Sequence, residues 1–311
     1  MILLGSRGVQ STRQRGDLVS AMSCRGYVHA MTVADAHLVG EAVAALELTD
    51  EGPIGAVGGQ KAVRRVSRNG RTFVLKVVAL EFTTDETLKR AEREVQLLAS
   101  IASPNVVKVE SDLVELGSPV HAAAWIEEYL DGEDLGNLLN GSQWPWADAK
   151  SMGVQVANGL AAGHKKSVIH RDLSANNVRR LSDGTYKVLD FGFARHTLRS
   201  GLTVAGQPGT PGYLTPEHLN SYSGGPMQMS DVFQLGILLY TALSGVSPYP
   251  WTGDDYEYMT RLRSGAMTPL GTHRTDLTDE QVGVVHRALH QQPARRFRNA
   301  AALRDALEAT L

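Results

Sequence analysis

The chain has 311 residues, 42% hydrophobic and 21% charged, with a formal net charge of −2, a composition that suits one two-lobed globular domain or two small ones. The near-neutral balance gives no argument for nucleic acid or an anionic membrane as partner. The single cysteine, Cys24, excludes an intrachain disulfide framework and a Cys-rich zinc site and points to the cytoplasm, and no apolar run approaches the length of a membrane span.

Residues 1 to about 30 carry arginines but no lysine, with scattered Gly and Ser. They read as a poorly ordered extension. Met1-Ile2-Leu3-Leu4 is too short for the apolar region of a signal peptide, and Met31 opens a better-patterned segment, compatible with a later start. From Thr32 to Leu48 the apolar residues Val33, Ala36, Val39, Val43 and Leu46 recur at helical spacing. A short helix within 32–48 is expected to pack on the domain that follows.

Gly52-Pro53-Ile54-Gly55-Ala56-Val57-Gly58-Gly59-Gln60-Lys61-Ala62-Val63 is a glycine-rich turn between strand-like flanks. Backbone N–H groups freed of side chains can approach phosphate oxygens there. Thr72-Phe73-Val74-Leu75-Lys76-Val77-Val78 reads as a buried strand. Lys76 within it needs a partner, because an unpaired buried charge is costly. Thr83-x-x-Glu86 is a capping-box pattern opening a helix from about Asp85 to Ile101. Leu88, Ala91, Val95 and Leu98 share one face of that helix, and Glu94 falls on the same stripe. An inward Glu94 and an inward Lys76 are expected partners. Pro104-Asn105-Val106-Val107 is expected to begin the next strand. Glu127, in Trp125-Ile126-Glu127-Glu128-Tyr129-Leu130, reads either as a solvated strand end or as a pocket residue.

Ala147 to Lys166 reads as a helix with Met152, Val156, Leu160 and His164 at core spacing. It leads into His170-Arg171-Asp172-Leu173-Ser174-Ala175-Asn176-Asn177, and Asp190-Phe191-Gly192 follows. Between them a turn at Ser182-Asp183-Gly184-Thr185 and a strand at Tyr186-Lys187-Val188-Leu189 suggest a hairpin that sets Asn177 beside Asp190. Two oxygen ligands beside Asp172 suit Mg²⁺, which takes few protein ligands and completes its shell with water and phosphate oxygens.

The order H-R-D-L-x-x-x-N followed by D-F-G resembles the catalytic and metal-binding loops of protein kinases, in the bacterial Ser/Thr (Hanks-type) form. Later segments extend the likeness. Gly209-Thr210-Pro211-Gly212-Tyr213-Leu214-Thr215-Pro216-Glu217 is similar to G-T-P-x-Y-x-A-P-E. Gln292-Pro293-Ala294-Arg295-Arg296 is a degenerate D-P-x-x-R. Ser230-Asp231-Val232-Phe233-Gln234-Leu235-Gly236 opens a nearly all-apolar, hence buried, helix.

The resemblance implies an α+β fold of two lobes, spanning about 49–308 after an extension of 1–48. A small lobe, about 49–128, would hold an antiparallel sheet and one helix. A mainly helical large lobe, about 133–308, would end in helices near 254–264, 278–290 and 299–309. It implies ATP and Mg²⁺ as cofactors and a protein substrate. Gly58, Gly59 and Val63 would lie over the nucleotide, Lys76 held by Glu94 would contact its α and β phosphates, and backbone near Glu128 and Leu130 would hold the adenine. Asn177 and Asp190 would bind the metal, and Asp172 would be the base. Arg171 would pair with a phosphate on the activation loop, for which Thr197, Ser200 and Thr203 are candidates. Glu217 would pair with Arg296, and Asp231 would hold the catalytic-loop backbone.

Two places depart from the family pattern. The flanking glycine positions of the phosphate loop hold Ala56 and Lys61, and Ser174 stands where Ser/Thr kinases usually carry a lysine for the γ-phosphate. They motivate an alternative reading, a pseudokinase that binds nucleotide or a partner without efficient transfer. A small-molecule kinase would share the lysine and the acid-amide-acid set but not Thr215-Pro216-Glu217 or the last-lobe arginine.

Overall fold

The structure is a computed structural model that describes residues 36–54, 61–79, 85–191, 202–203, 207–208, 210–219 and 227–311. Its small lobe is a five-stranded antiparallel sheet in the order β1-β2-β3-β5-β4. The strands are β1 (Thr49–Pro53), β2 (Lys61–Arg68), β3 (Arg71–Ala79), β4 (Val114–Leu116) and β5 (Ala122–Glu128).

Period-2 alternation gives this sheet two different faces. Phe73, Leu75 and Val77 of β3, with Ala122, Ala124 and Ile126 of β5, turn to the outer face. There they pack under helix α1, residues 36–45. The covering stripe is Leu38, Val39, Ala42 and Leu46, all buried, whereas Ala36 is exposed. The expected stripe was thus rotated: the two leucines and the close-packed Ala42, four apart, set the buried line. Val33 lies outside the described residues.

The opposite face looks into the molecule. Val63 pairs with Lys76, Lys61 with Val78, Lys76 with Trp125 and Val74 with Glu127. Opposed residues of an antiparallel pair share a face, so Lys61, Val63, Lys76, Trp125 and Glu127 all look into the cleft. Helix α2 (Asp85–Ala99) sets Val95 and Leu98 against Val78 and Trp125. It stops short of Ile101, which joins the core of the large lobe instead. The expected strand from Pro104 is reduced to isolated bridges, Val106 with Val188 and Val109 with Glu127. The backbone of Asn105 and Val107 bonds to Val188 of the large lobe, so the segment ties the lobes together.

The large lobe carries a three-stranded sheet, β6 (Gly132–Asp134), β7 (Val178–Leu181) and β8 (Tyr186–Val188), and helices α3 (Leu135–Leu138), α4 (Trp146–Lys165), α5 (Pro216–Leu219), α6 (Gln228–Ser244), α7 (Asp255–Ser264), α8 (Leu270–His273), α9 (Asp279–Ala288) and α10 (Ala300–Ala309). The chain is therefore an α+β fold of two lobes. Helix α6 is buried almost all round, as its apolar sequence requires, and Gly245 ends it at φ 77°, a conformation glycine adopts without strain. Helix α4 buries Met152, Val156, Leu160 and His164. Its Gly163 matters for the site, because a Cβ there would sit 2.6 Å from a ring carbon of Phe191. Among the described residues no helix is long and apolar enough to cross a membrane.

Candidate active site

The site begins with a carboxylate that never faces solvent. Asp231, the second residue of the buried run of α6, is 0% exposed. Its Oδ2 accepts from the backbone N–H of His170 at 2.9 Å, and its Oδ1 accepts from the N–H of Arg171 at 2.9 Å. His164 of α4 closes the group, with Nε2 2.8 Å from Asp231 Oδ2. These bonds hold Arg171 at φ 68°, a region that non-glycine residues seldom occupy. The loop that carries Asp172 is thus anchored on its N-terminal side to the most buried helix of the protein.

The same loop is anchored at its other end. The Asn177 amide donates to the carbonyl of Asp172 at 2.8 Å, and the carbonyl of Asn177 accepts from Leu189 N–H at 2.9 Å. The β7–β8 hairpin pairs Val178 with Val188. Asp190 therefore follows directly on the residue bonded to Asn177, and it sits at φ 53°. The His170 ring packs at 4.9 Å on Phe191, and its Nε2 lies 2.7 Å from Leu189 O. Asp172 Oδ1 accepts from both the N–H and the hydroxyl of Thr210, at 3.1 Å each. One residue from the segment before α5 thereby orients that carboxylate.

Across the cleft, Lys76 Nζ lies 2.5 Å from Glu127 Oε2, and both side chains are 6% exposed. The same ammonium pairs with Asp190 Oδ1. Lys61 Nζ reaches the other oxygen of Asp190 at 2.9 Å. Burial works against the Lys76 ammonium, but the Asp190 and Glu127 carboxylates overcome it and raise its pKa above the ordinary lysine value. Burial would likewise push Asp190 up, yet the Lys61 and Lys76 ammoniums hold it well below the usual carboxylate range.

Two adjoining compartments of about 240 Å³ and 410 Å³ lie between the lobes and share Lys61, Lys76, Glu127 and Asp190 in their walls. The first is lined by Asp172, Ser174, Asn177 and Phe191. The second is lined by Val63, Glu128, Tyr129 and Leu130. Glu128 bonds through its carboxylate to Lys108 N–H at 2.8 Å and to Lys187 Nζ at 2.5 Å. A contact of another kind holds the large lobe. The Arg296 guanidinium donates to both oxygens of Glu217, each at 2.8 Å, with Ser230 donating to Oε1 at 2.7 Å.

A family model described as the protein kinase domain matches residues 49–307. The chain belongs to the protein kinase family. It is 32% identical over 247 residues to a serine/threonine-protein kinase of Corynebacterium efficiens, covering 78% of this chain and 46% of that protein. It is 31% identical over 267 residues to the serine/threonine-protein kinase PknB of Mycobacterium tuberculosis, covering 81% of this chain and 41% of that protein. A Myxococcus xanthus serine/threonine-protein kinase is 30% identical over 271 residues, 82% of this chain and 48% of that protein. The chain thus spans less than half the length of these relatives. Helix α1 lies before the matched residues.

The structure brings Lys76, Asp172, Asn177 and Asp190 to one cleft. Val63, Glu128 and Leu130 line its second compartment. Gly58, Gly59, Thr197 and Ser200 lie outside the described residues, as do the side chains of Glu94 and Thr203, which belong to α2 and a two-residue strand at 202–203. The described carboxylate partners of Lys76 are Glu127 and Asp190.

Some contributors were missed in the sequence. Gln234 accepts from Leu173 N–H at 3.1 Å and donates to Tyr213 O at 3.0 Å, so it ties the loop that carries Asp172 to the segment before α5. Its signal was a lone amide three residues after Asp231, on the same face of an otherwise apolar helix. His164, at core spacing in the sequence, also bonds Asp231. Lys61, which occupies a glycine position of the phosphate-loop pattern, also pairs with Asp190. Asn177 and Asp190 carry hard oxygens of the type that suits a cation such as Mg²⁺, and here both Asp190 oxygens pair with lysines. Among the described residues no group of three or more His, Cys, Asp or Glu could by itself hold a metal. This donor set fits an ion that draws most of its ligands from phosphate and water.

Proposed function

We propose that the chain is a protein kinase that transfers the γ-phosphoryl group of Mg-ATP to serine or threonine hydroxyls of a protein substrate. One observation carries this reading: Asp172 is clamped between Asn177, Asp231-anchored backbone and Thr210, in the same cleft as the Lys76–Asp190 pair. Phosphoryl transfer needs positioning and electrostatics more than covalent chemistry, and this arrangement supplies both.

In this reading Val63 and backbone near Glu128 and Leu130 enclose the adenine, with residues 56–63 over the phosphates. Lys76 contacts the α and β phosphates. Asn177 and Asp190 hold Mg²⁺, which when bound neutralises charge on the phosphates. Asp172, oriented by Thr210, positions the acceptor hydroxyl and accepts its proton. Gly209-Thr210-Pro211, and the names of the relatives, favour Ser/Thr over Tyr as acceptor. Autophosphorylation at Thr197, Ser200 or Thr203 would bring a phosphate within reach of Arg171. With one cysteine and no spanning helix among the described residues, the cytoplasm is the compartment that suits this activity. Incubation with Mg-ATP and a generic protein acceptor tests the reading: phosphoserine or phosphothreonine is expected, and ATP binding without transfer would favour the pseudokinase.

A further inference from the structure

We infer that Lys61 is a second phosphate-binding lysine of this site, supplying from β2 the positive charge that Ser174 does not supply from the catalytic loop. The inference rests on the kinase reading above and concerns how the same cleft receives the nucleotide's triphosphate.

The register makes the placement unavoidable. Lys61 opposes Val78 and Val63 opposes Lys76, so both lysines leave the sheet on the cleft face. Their ammoniums meet on one carboxylate: Lys61 Nζ is 2.9 Å from Asp190 Oδ2, and Lys76 pairs with Oδ1. An anion brought to Asp190 through a shared cation therefore meets both lysines. Lys61 lines both compartments of the cleft, and at 28% exposure it keeps access to a ligand.

The charge inventory calls for such a residue. Among the described residues, and without Lys61, the first compartment sets one ammonium, Lys76, against three carboxylates, Glu127, Asp172 and Asp190. Glu127 also engages Lys76 directly, so part of that lysine's field is already taken up. A polyanion entering there would meet net repulsion. Ser174 is 2% exposed and lies in the wall of the same compartment, but a hydroxyl brings no charge. Lys61 is the described lysine within reach that narrows this excess, leaving two ammoniums against the three carboxylates, and a lysine serves as a point charge for phosphate without needing a fixed bidentate geometry.

The test is calorimetric binding of adenosine, Mg-ADP and Mg-ATP to the whole chain and its Lys61→Met variant. Removing a charge-assisted hydrogen bond to the phosphates should weaken Mg-ATP by about 10- to 100-fold, leave adenosine unchanged, and affect Mg-ADP less than Mg-ATP. Adding Ser174→Lys to Lys61→Met should recover Mg-ATP affinity. Equal losses for adenosine and Mg-ATP would make Lys61 a merely structural residue and overturn the inference. So would unchanged or tighter Mg-ATP binding, the latter showing that Lys61 only clamps Asp190, or a double variant with no recovery. A wild-type chain that bound no Mg-ATP would overturn the kinase reading itself, whereas wild-type binding indifferent to Lys61 overturns this inference alone.

Discussion

Glu127 and Lys76 form a nearly solvent-free ion pair, 2.5 Å apart on neighbouring strands. Glu127 Oε1 also accepts from the indole N–H of Trp125 at 3.0 Å, so the carboxylate has little freedom to leave. Lys76 thus has a carboxylate partner built into its own sheet. Replacing Glu127 by Leu should lower stability by up to about 3 kcal/mol, the lower end for breaking a buried pair, because Asp190 still faces the ammonium. Urea unfolding of the two proteins without nucleotide checks this.

Asp172→Asn should keep the fold and nucleotide binding, since Thr210 and Asn177 bond to atoms the amide retains or mimics. Phosphate transfer should fall by about 10²–10⁴, the usual contribution of a positioned base. Parallel measurements of ATP affinity and phosphate incorporation separate the two effects.

The Glu217–Arg296 pair yields a pH dependence. Burial would raise the Glu217 carboxyl, but the Arg296 hydrogen bonds and charge, with Ser230, hold it below its ordinary value of 4.5. A carboxyl with a depressed folded pKa adds stability above its unfolded pKa, and that stability is lost as pH falls through the folded value. Wild type should therefore weaken as pH drops below about 4.5, and Glu217→Gln should show a smaller loss over that window although it is weaker at pH 7. Arg296→Ala, which strands a buried carboxylate, should cost about 3–5 kcal/mol at pH 7. Denaturant midpoints at pH 7 and pH 4 for the three proteins test the sign.

Much of this was legible in the sequence, for definite physical reasons. The large-lobe helices fall within a residue or two of their apolar patterns, because caps such as Asp254 and Thr278 mark their starts. The motif spacings located Asp231, Glu217 and Arg296, whose contacts span 61 and 79 residues and so leave no local signal. What was not legible depends on register. Glu127 becomes a buried partner of Lys76 because β5 pairs Val74 with Glu127, and Lys61 becomes a cleft residue because β2 pairs Val63 with Lys76. Neither pairing can be counted off along one strand. The α1 stripe was rotated for a related reason: a single helix does not reveal which of two overlapping apolar lines its sheet will meet.

Gln234→Ala should remove the acceptor for Leu173 N–H and the donor to Tyr213 O, leaving buried backbone groups unpaired. A loss of about 1–3 kcal/mol is expected, together with reduced turnover at unchanged ATP affinity. Thermal unfolding and steady-state kinetics on one preparation distinguish this from an inert substitution.

Leu38→Ala on α1 should cost about 2–4 kcal/mol, because Leu38 is 4% exposed against the outer face of the small-lobe sheet. Hydrogen exchange should show the loss first in β3 and β5, whose outer face α1 covers.

The most direct measurement is phosphoamino-acid analysis of the chain after incubation with Mg-ATP labelled at the γ-phosphate, run beside Asp172→Asn. The account predicts labelled phosphoserine or phosphothreonine in the wild type and about 10²–10⁴-fold less in the variant. Labelled phosphotyrosine alone, equal labelling of both proteins, or no labelling of the chain or any added protein acceptor would contradict it.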